Sequence, residues 1–295
     1  MGITTNVLIM VPDLSLVDET FDTNITLSYF LSIQVCLDGF SFSILDPVRN
    51  KYIQFRYFSF HHKVKETDLP ELTNKIFEQN ELLNLPYKKV FILIPSRFST
   101  LVPSGLFTPD EAAGWLRFTH EVPENHNIVF SQMKLADAWN IFAIPSQLGD
   151  IFKRQFPEPS FFQQYIPMTE TKLAISRPGV SKTQLIINLQ SNYFDIVVIE
   201  KNNLKLSNSF QIRGENDLIY YTLFVFEQLQ LPPSNTEIQL IGAHPEFNVI
   251  RKTLEKYIKH VKQPGLPSGF QYSYLFKDVP GHRFHNLLSL ASCVS

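Results

Sequence analysis

Between residues 31 and 45 the chain reads LSIQVCLDGFSFSIL, two runs of alternating apolar and small or polar positions that meet at Asp38-Gly39. A period of two sends successive side chains to opposite faces of a strand, so the stretch predicts a β-hairpin. Asp-Gly at the junction predicts a tight type I′ turn, because both residues tolerate positive φ, and assigns the aspartate to the turn rather than to chemistry. A polar DPVRN leads into a third alternating run, KYIQFRYFSF. A helical stripe through Leu72, Ile76 and Leu83 follows in LPELTNKIFEQNELLN, and then a short apolar strand, KVFILIP.

The same order returns further along. Laying LIINLQSNYFDIVVIE over LSIQVCLDGFSFSILD at an offset of 154 puts Ile187 on Ile33, Leu189 on Val35, Phe194 on Phe40, Ile196 on Phe42, Val198 on Ile44 and Glu200 on Asp46. A polar EKNN, a third strand LKLSNSFQI, a helix NDLIYYTLFVFEQLQ and a strand EIQLIGA complete the second copy. Both helices contain Phe-Glu-Gln, at Phe77 and Phe226, and both are followed by Leu-Pro, at Leu85 and Leu231. Register kept through a hairpin, a helix and the next strand predicts an internal duplication. The second helix is apolar nearly all round, which predicts deeper burial.

The remaining segments are read from their caps and periods. In TPDEAAGWLRF, Thr108 is expected as N-cap, Pro109 as first helical residue and Glu111 as reciprocal partner. HNIVFSQMKL, WNIFAIP and SFFQQYIP read as strands, with SQLGDIFKRQF as a helix between the last two. After the second copy, PEFNVIRKTLEKYIKHV reads as a helix, KQPGLPSG as a linker, FQYSYLF as a strand and HRFHNLLSLASC as a closing helix. Polar residues and Pro178-Gly179 interrupt the pattern in IPMTETKLAISRPGVSK. A boundary there divides the chain into domains 1–168 and 169–295.

Composition narrows the function. With 295 residues, 44% hydrophobic and 18% charged, the chain can bury one large or two medium cores, and its length favours about two domains. A net charge of -2, with Lys and Arg scattered, gives no reason to expect a general phosphate-backbone binder, so no nucleic-acid partner is expected. The start, MGITTNVLIMVPDLSLVDETF, has no basic n-region and its apolar run is broken at Pro12-Asp13, which predicts a cytoplasmic protein. No window approaches the roughly 18 apolar residues of a membrane helix. The two cysteines, Cys36 and Cys293, are far apart and are expected as free buried thiols of a reducing compartment.

Other constellations are thin. His282 and His285 near Asp278 read as a solvated helix start rather than a metal site, and His61-His62 point to opposite faces of a strand. Ser96, Ser99 and Ser104 lack a Gly-x-Ser-x-Gly elbow. VFILIPS supplies no acid to join Asp38 in a two-metal nuclease. The abundant aromatics are expected in the core, and any exposed together would mark a partner surface.

A duplicated unit of hairpin, third strand, helix and strand resembles the actin-like ATPase fold shared by actin, the Hsp70 chaperones and sugar kinases. The chain is also similar to an uncharacterised Bacteroidetes family of unknown function with an actin-like fold, through the run from Leu31 into Asp-Gly-Phe-Ser-Phe-Ser. The resemblance implies an α/β protein of two RNase H-like domains with an interdomain cleft, where nucleotide lies and two hairpin loops grip its phosphates. Those loops run Asp, apolar, Gly, Thr, Thr and Asp, apolar, Gly, Gly, Gly, Thr, the acids ordering magnesium and the glycines admitting phosphate to backbone N–H groups.

On this chain the first pattern falls on Gln34, Val35, Cys36, Leu37 and Asp38, and the second on Asn188, Leu189, Gln190, Ser191, Asn192 and Tyr193. The adenosine turn of the fold falls on Gly242 and Ala243 in LIGAHPEF. Gln34, Cys36, Asn188, Gln190, Asn192, Gly242 and Ala243 are therefore the positions of a degenerate cleft, with no catalytic residue and no metal expected. The implied function is a non-catalytic, pseudo-ATPase adaptor that binds a protein or another ligand, as non-hydrolysing relatives serve membrane assemblies from the cytoplasm. The alternative is an active ATPase or kinase with atypical metal ligands, and only then are ATP and magnesium expected.

Overall fold

The structure is a computed structural model of the chain and describes residues 10–60, 64–175, 183–214 and 216–294. His61-His62 and Pro178-Gly179 lie outside the described residues. In chain order the first half comprises β1 (Leu14–Val17), β2 (Phe30–Cys36), β3 (Gly39–Asp46), β4 (Lys51–Ser59), α1 (Leu69–Gln79) and β5 (Lys89–Leu93). It continues through β6 (Ser99–Pro103), α2 (Ala112–Thr119), β7 (His126–Met133), β8 (Ala138–Pro145), α3 (Ser146–Gln155), β9 (Ser160–Phe162) and α4 (Ile166–Ile175). The second half comprises β10 (Gln184–Leu189), β11 (Tyr193–Glu200), β12 (Asn203–Gln211), α5 (Asp217–Gln228) and β13 (Glu237–Gly242). It closes with α6 (Phe247–Leu254), β14 (His260–Lys262), β15 (Gln271–Tyr272) and α7 (Gly281–Ser289).

The duplication is explicit in the sheets. One sheet runs β1-β4-β3-β2-β5-β9 and the other β12-β11-β10-β13-β14, so the shared unit has the same strand order in both. Ile33 pairs with Phe42 across the first hairpin as Ile187 pairs with Ile196 across the second. In each copy the fourth strand is parallel to the first, with Ile92 beside Ile33 and Leu240 beside Ile187. Both copies also break register at one place, between Ile44 and Leu45 and between Val198 and Ile199, so even the bulge is repeated. A third, smaller sheet, β6-β8-β7, stands apart with α2 against it.

Three layers of apolar side chains hold these elements. Ile33, Phe40 and Phe42 pack with Ile76 and Phe77 of α1 and Phe152 of α3 on one outer face. Ile187, Phe194 and Ile196 pack with Phe226 of α5 and Leu254 of α6 on the other. Between the sheets, Tyr52, Phe55, Tyr57 and Phe91 meet Ile186, Val197 and Ile241, with Phe284, Leu287 and Leu288 of α7 in the same cluster. Burial of one such side chain contributes about 1.5–3 kcal/mol, so this middle layer is a major bond between the halves.

Several local expectations are corrected. Cys36 pairs with Gly39, leaving Leu37-Asp38 as the loop, and none of these residues has positive φ, so the turn is not type I′. Gly39 is needed for space instead: a Cβ there would stand 2.5 Å from the Phe58 carbonyl oxygen and 2.6 Å from the Tyr57 ring. Thr108 stands at the N-cap and Pro109 opens the helix as expected, but the first turn is 3-10 and the Thr108 hydroxyl donates to the Glu111 carboxylate over 2.9 Å instead of accepting from the backbone.

Residues expected to continue a strand and then break the pattern form α4, whose polar groups are buried. It holds because Thr169 and Thr171 donate to the Tyr165 and Pro167 carbonyls and Glu170 accepts from the N–H groups of Leu135 and Ala136. Helix α5 is less buried than its composition predicted, with Tyr220 61% and Phe224 41% exposed. Helix α6 ends at Leu254, and part of the remainder of that predicted helix forms β14 beside β13. FQYSYLF yields only two strand residues before a 3-10 turn, and these pair with β4.

Candidate interdomain site

Gln34 and Asn188 occupy equivalent places on the first strand of each copy. Ile33 and Val35, like Ile187 and Leu189, join the outer cores, so the alternation turns Gln34 and Asn188 to the middle layer. Gln34, Cys36, Asn188, Gln190, Gly242 and Ala243 line one space there with Asp38, Gln164, Arg283 and Asn286. Its volume is about 10 Å³, room for about one water. Asn192 is not on that wall; its carbonyl accepts from the Ile212 N–H at the hairpin end.

Side chains fill the space by bonding one another. The Asn188 amide donates to Asp195 over 2.9 Å and accepts from the Asn286 amide over 3.1 Å. Asp195 also accepts from Gln164 and from the Ser209 hydroxyl, and Gln164 reaches the Tyr193 hydroxyl at 3.0 Å. Burial pushes the Asp195 carboxyl up to about 6, against the pull of those three donors. The equivalent position in the first copy, 154 residues earlier, is Ser41, so this buried acid is not duplicated.

A second knot closes the mouth of the space. Arg283 of α7 bonds the Asp38 carboxylate over 2.8 Å and also the Tyr57 hydroxyl, and lies 4.5 Å above the Tyr57 ring. Asp38 therefore both turns the first hairpin and ties it to the closing helix. Burial raises its carboxyl, and Arg283 opposes that. Gln34 donates to the Cys36 sulfur over 3.3 Å, and burial, with the Asp38 charge second, pushes the Cys36 thiol well up. Both cysteines are buried and free.

The glycine carried over from the adenosine turn has a packing reason of its own. Gly242 has φ +102°, and a Cβ there would stand 2.1 Å from the Leu189 carbonyl oxygen. The Ala243 N–H donates to the same oxygen over 3.1 Å. Beside it lies a hollow of about 270 Å³ between Ser191, His244, Phe247 and His282, with Gly242 and Ala243 on its wall.

His282, His285, Ser96 and Ser99 make structural contacts, and the helix start expected to be solvated is buried at His285. His285 is buried against Ser289 and lowered to about 4 by desolvation and then by the Lys172 charge, while His282 bonds Gln263. Among the described residues no group of three or more His, Cys, Asp or Glu side chains could hold a metal. Ser96 donates to the Ala143 carbonyl and Ser99 bonds Tyr165. Sequence reasoning missed Arg283, Gln164 and Asn286 as cleft residues. Arg283 and Asn286 stand three apart on one helix face, a spacing that could have flagged them, whereas Gln164 follows a strand end and has no periodic signal.

Residues 18–261 match the protein family described as "Protein of unknown function (DUF3822)". The chain belongs to this family. A crystal structure from Bacteroides thetaiotaomicron VPI-5482, described as a protein with actin-like ATPase fold and unknown function, is similar to it. The two share 25% identity over 93% of this chain and 99% of that one, with a TM-score of 0.77. A chain of a PilM-PilN type IV pilus biogenesis complex shares the fold at 12% identity and a TM-score of 0.60, over 90% of this chain and 98% of that one. No curated protein matches. This DUF3822 chain thus has the actin-like ATPase fold that its duplicated strand order implied.

Proposed function

We propose that this DUF3822 chain is a non-hydrolysing actin-like protein that works by binding a protein partner from the cytoplasm. The observation that carries the reading is the space of about 10 Å³ between Gln34 and Asn188. Ligand pockets typically run about 300–1,000 Å³. Neutral amides at both positions supply no charge to hold magnesium, and Asn188 is already spent on Asp195 and Asn286. Two free buried cysteines agree with a reducing compartment. Among the described residues no helix is long and apolar enough to cross a membrane. The PilM-PilN neighbour supports a protein-binding use of the same fold, since what is described there is a complex.

The hollow of about 270 Å³ against Gly242 and Ala243 favours a second reading, an ATPase or kinase with atypical ligands. Isothermal titration with ATP and magnesium separates the two. The adaptor reading expects no binding tighter than about 1 mM and no turnover. Micromolar affinity with measurable phosphate release rejects it. A Gln34→Asp, Asn188→Asp double variant is expected to stay unable to bind, because charge alone does not open the space.

A further inference from the structure

The two copies differ in what covers the outer edge of their third strand. In the first copy, Leu14 to Val17 of β1 pair antiparallel with residues 54–57 of β4, and β15 pairs with the start of the same strand. In the second copy, β12 is the end of its sheet, and among the described residues no strand pairs with its outer edge. The copies align through their ladders: Phe40 pairs with Phe58 as Phe194 pairs with Phe210, and Ser41 with Tyr57 as Asp195 with Ser209. Residues 206–209 of β12 therefore correspond to the part of β4 that β1 covers.

The direction of the backbone groups corresponds too. On β4, the Tyr57 carbonyl accepts from the Asp13 N–H over 2.8 Å and the Ser59 N–H donates to the Asp13 carboxylate over 2.7 Å, so positions 57 and 59 turn outward. Their counterparts are Ser209 and Gln211, and the period of two adds Ser207. Inward bonds agree, since Phe60 donates to Asp38 as Ile212 donates to Asn192. The Ser209 N–H is bonded by the exposed Asn208 side chain at 2.9 Å, a partner that an incoming carbonyl can replace.

We infer that the outer edge of β12 over residues 206–211 is a docking site for an extended segment of a partner protein, added antiparallel as β1 is added to β4. This deepens the protein-binding reading and rests on it. The surroundings state the chemistry of the occupant. A row of rings steps outward from Phe194 through Phe210 and Tyr221 to Tyr220 and Phe224, with Phe210 and Tyr221 stacked at 4.7 Å. An added strand would lay apolar side chains against the exposed end of that row. On the opposite face Ser207 and Ser209 turn their hydroxyls inward, Ser209 onto Asp195, so that face of an added strand would meet small polar side chains.

The inner end of the edge opens into a groove of about 390 Å³, where Ser209, Phe210 and Gln211 face Arg97, Phe98 and His120. The occupant is a short strand rather than a second copy. Lys205 stands at the bulge and blocks the start of β12 as edge charges do. The six residues beyond it span only about 20 Å, too little for the roughly 1,200 Å² of a stable dimer.

The test selects phage-displayed random decapeptides on the folded full chain. Enriched sequences are expected to bind at least about tenfold more weakly to Ser207→Pro, which removes an outward N–H without a ladder bond. Backbone N-methylation of a selected peptide is expected to abolish binding at alternate residues and spare those between, a readout that keeps the wild-type protein and needs no folded variant. Peptides indifferent to both changes bind elsewhere and reject the edge while leaving the protein-binding reading intact. Failure to enrich any peptide rejects it too, with the ATP titration deciding the broader reading separately. A dimer in sedimentation that Ser207→Pro dissolves overturns the proposal in favour of a second copy.

Discussion

At the scale of single residues, Asp195 is a fully buried carboxyl whose hydrogen-bond donors, Gln164, Asn188 and Ser209, are all neutral. Its folded value, raised from 3.8 to about 6, means the folded state holds the proton more tightly than the unfolded chain. The stability it contributes is fully present below pH 3.8 and is lost as pH rises through about 6, a difference of about 3 kcal/mol. His285 acts the other way: lowered from 6.5 to about 4, it contributes stability above pH 6.5 that is lost as pH falls through about 4. The two oppose each other in one window, so a single curve hides both. Urea denaturation of wild type and Asp195→Asn at a series of pH values separates them. The variant is expected to gain about 3 kcal/mol relative to wild type between pH 4 and pH 7, and a difference that stays flat rules out the buried titration.

Among elements, what was legible in the sequence is what repeats. The outer-face apolar positions of both hairpins survive at a fixed offset because they fill equivalent cores, and that offset alone brings Gln34 and Asn188 to one space. Short edges were not legible: β1 and β6 are four and five residues, too few for a period of two to stand out. Helix α4 was hidden because its buried acid, Glu170, finds its partners 34 and 35 positions away, while Thr169 and Thr171 bond back to carbonyls four residues earlier. Arg283 and Asp38, 245 apart, carry no local sign of each other.

Glycine roles were legible as residues but not as reasons, and two substitutions separate the cases. Gly242→Ala meets backbone that cannot move aside and is expected to cost about 3 kcal/mol or more. Gly114→Ala, inside α2 with nothing within 4 Å, is expected to stabilise by about 0.5–1 kcal/mol. Urea midpoints of the pair test both, and equal shifts of one sign would contradict the steric account.

Over the whole molecule, the middle layer decides whether two copies of one unit behave as two proteins or one. Phe284 sits in it, with its ring 4.8 Å from Phe55 and 5.1 Å from Tyr57, and its cluster takes in Ile186, Val197 and Ile241 of the other sheet. Truncating such a ring typically costs about 3–5 kcal/mol in transfer and cavity terms. If the layer were only an interface between independently stable units, Phe284→Ala would weaken the contact and leave the opening of each sheet unchanged. A shared core predicts the opposite, because neither sheet covers its inner face alone. Native-state hydrogen exchange at Ile33 and Ile187, central in the two sheets, reads this directly. Both amides are expected to lose the same opening free energy, about 3–5 kcal/mol, in Phe284→Ala. A loss confined to one of them would mean that the halves unfold separately and that the closed cleft is held by less than the continuous core described above.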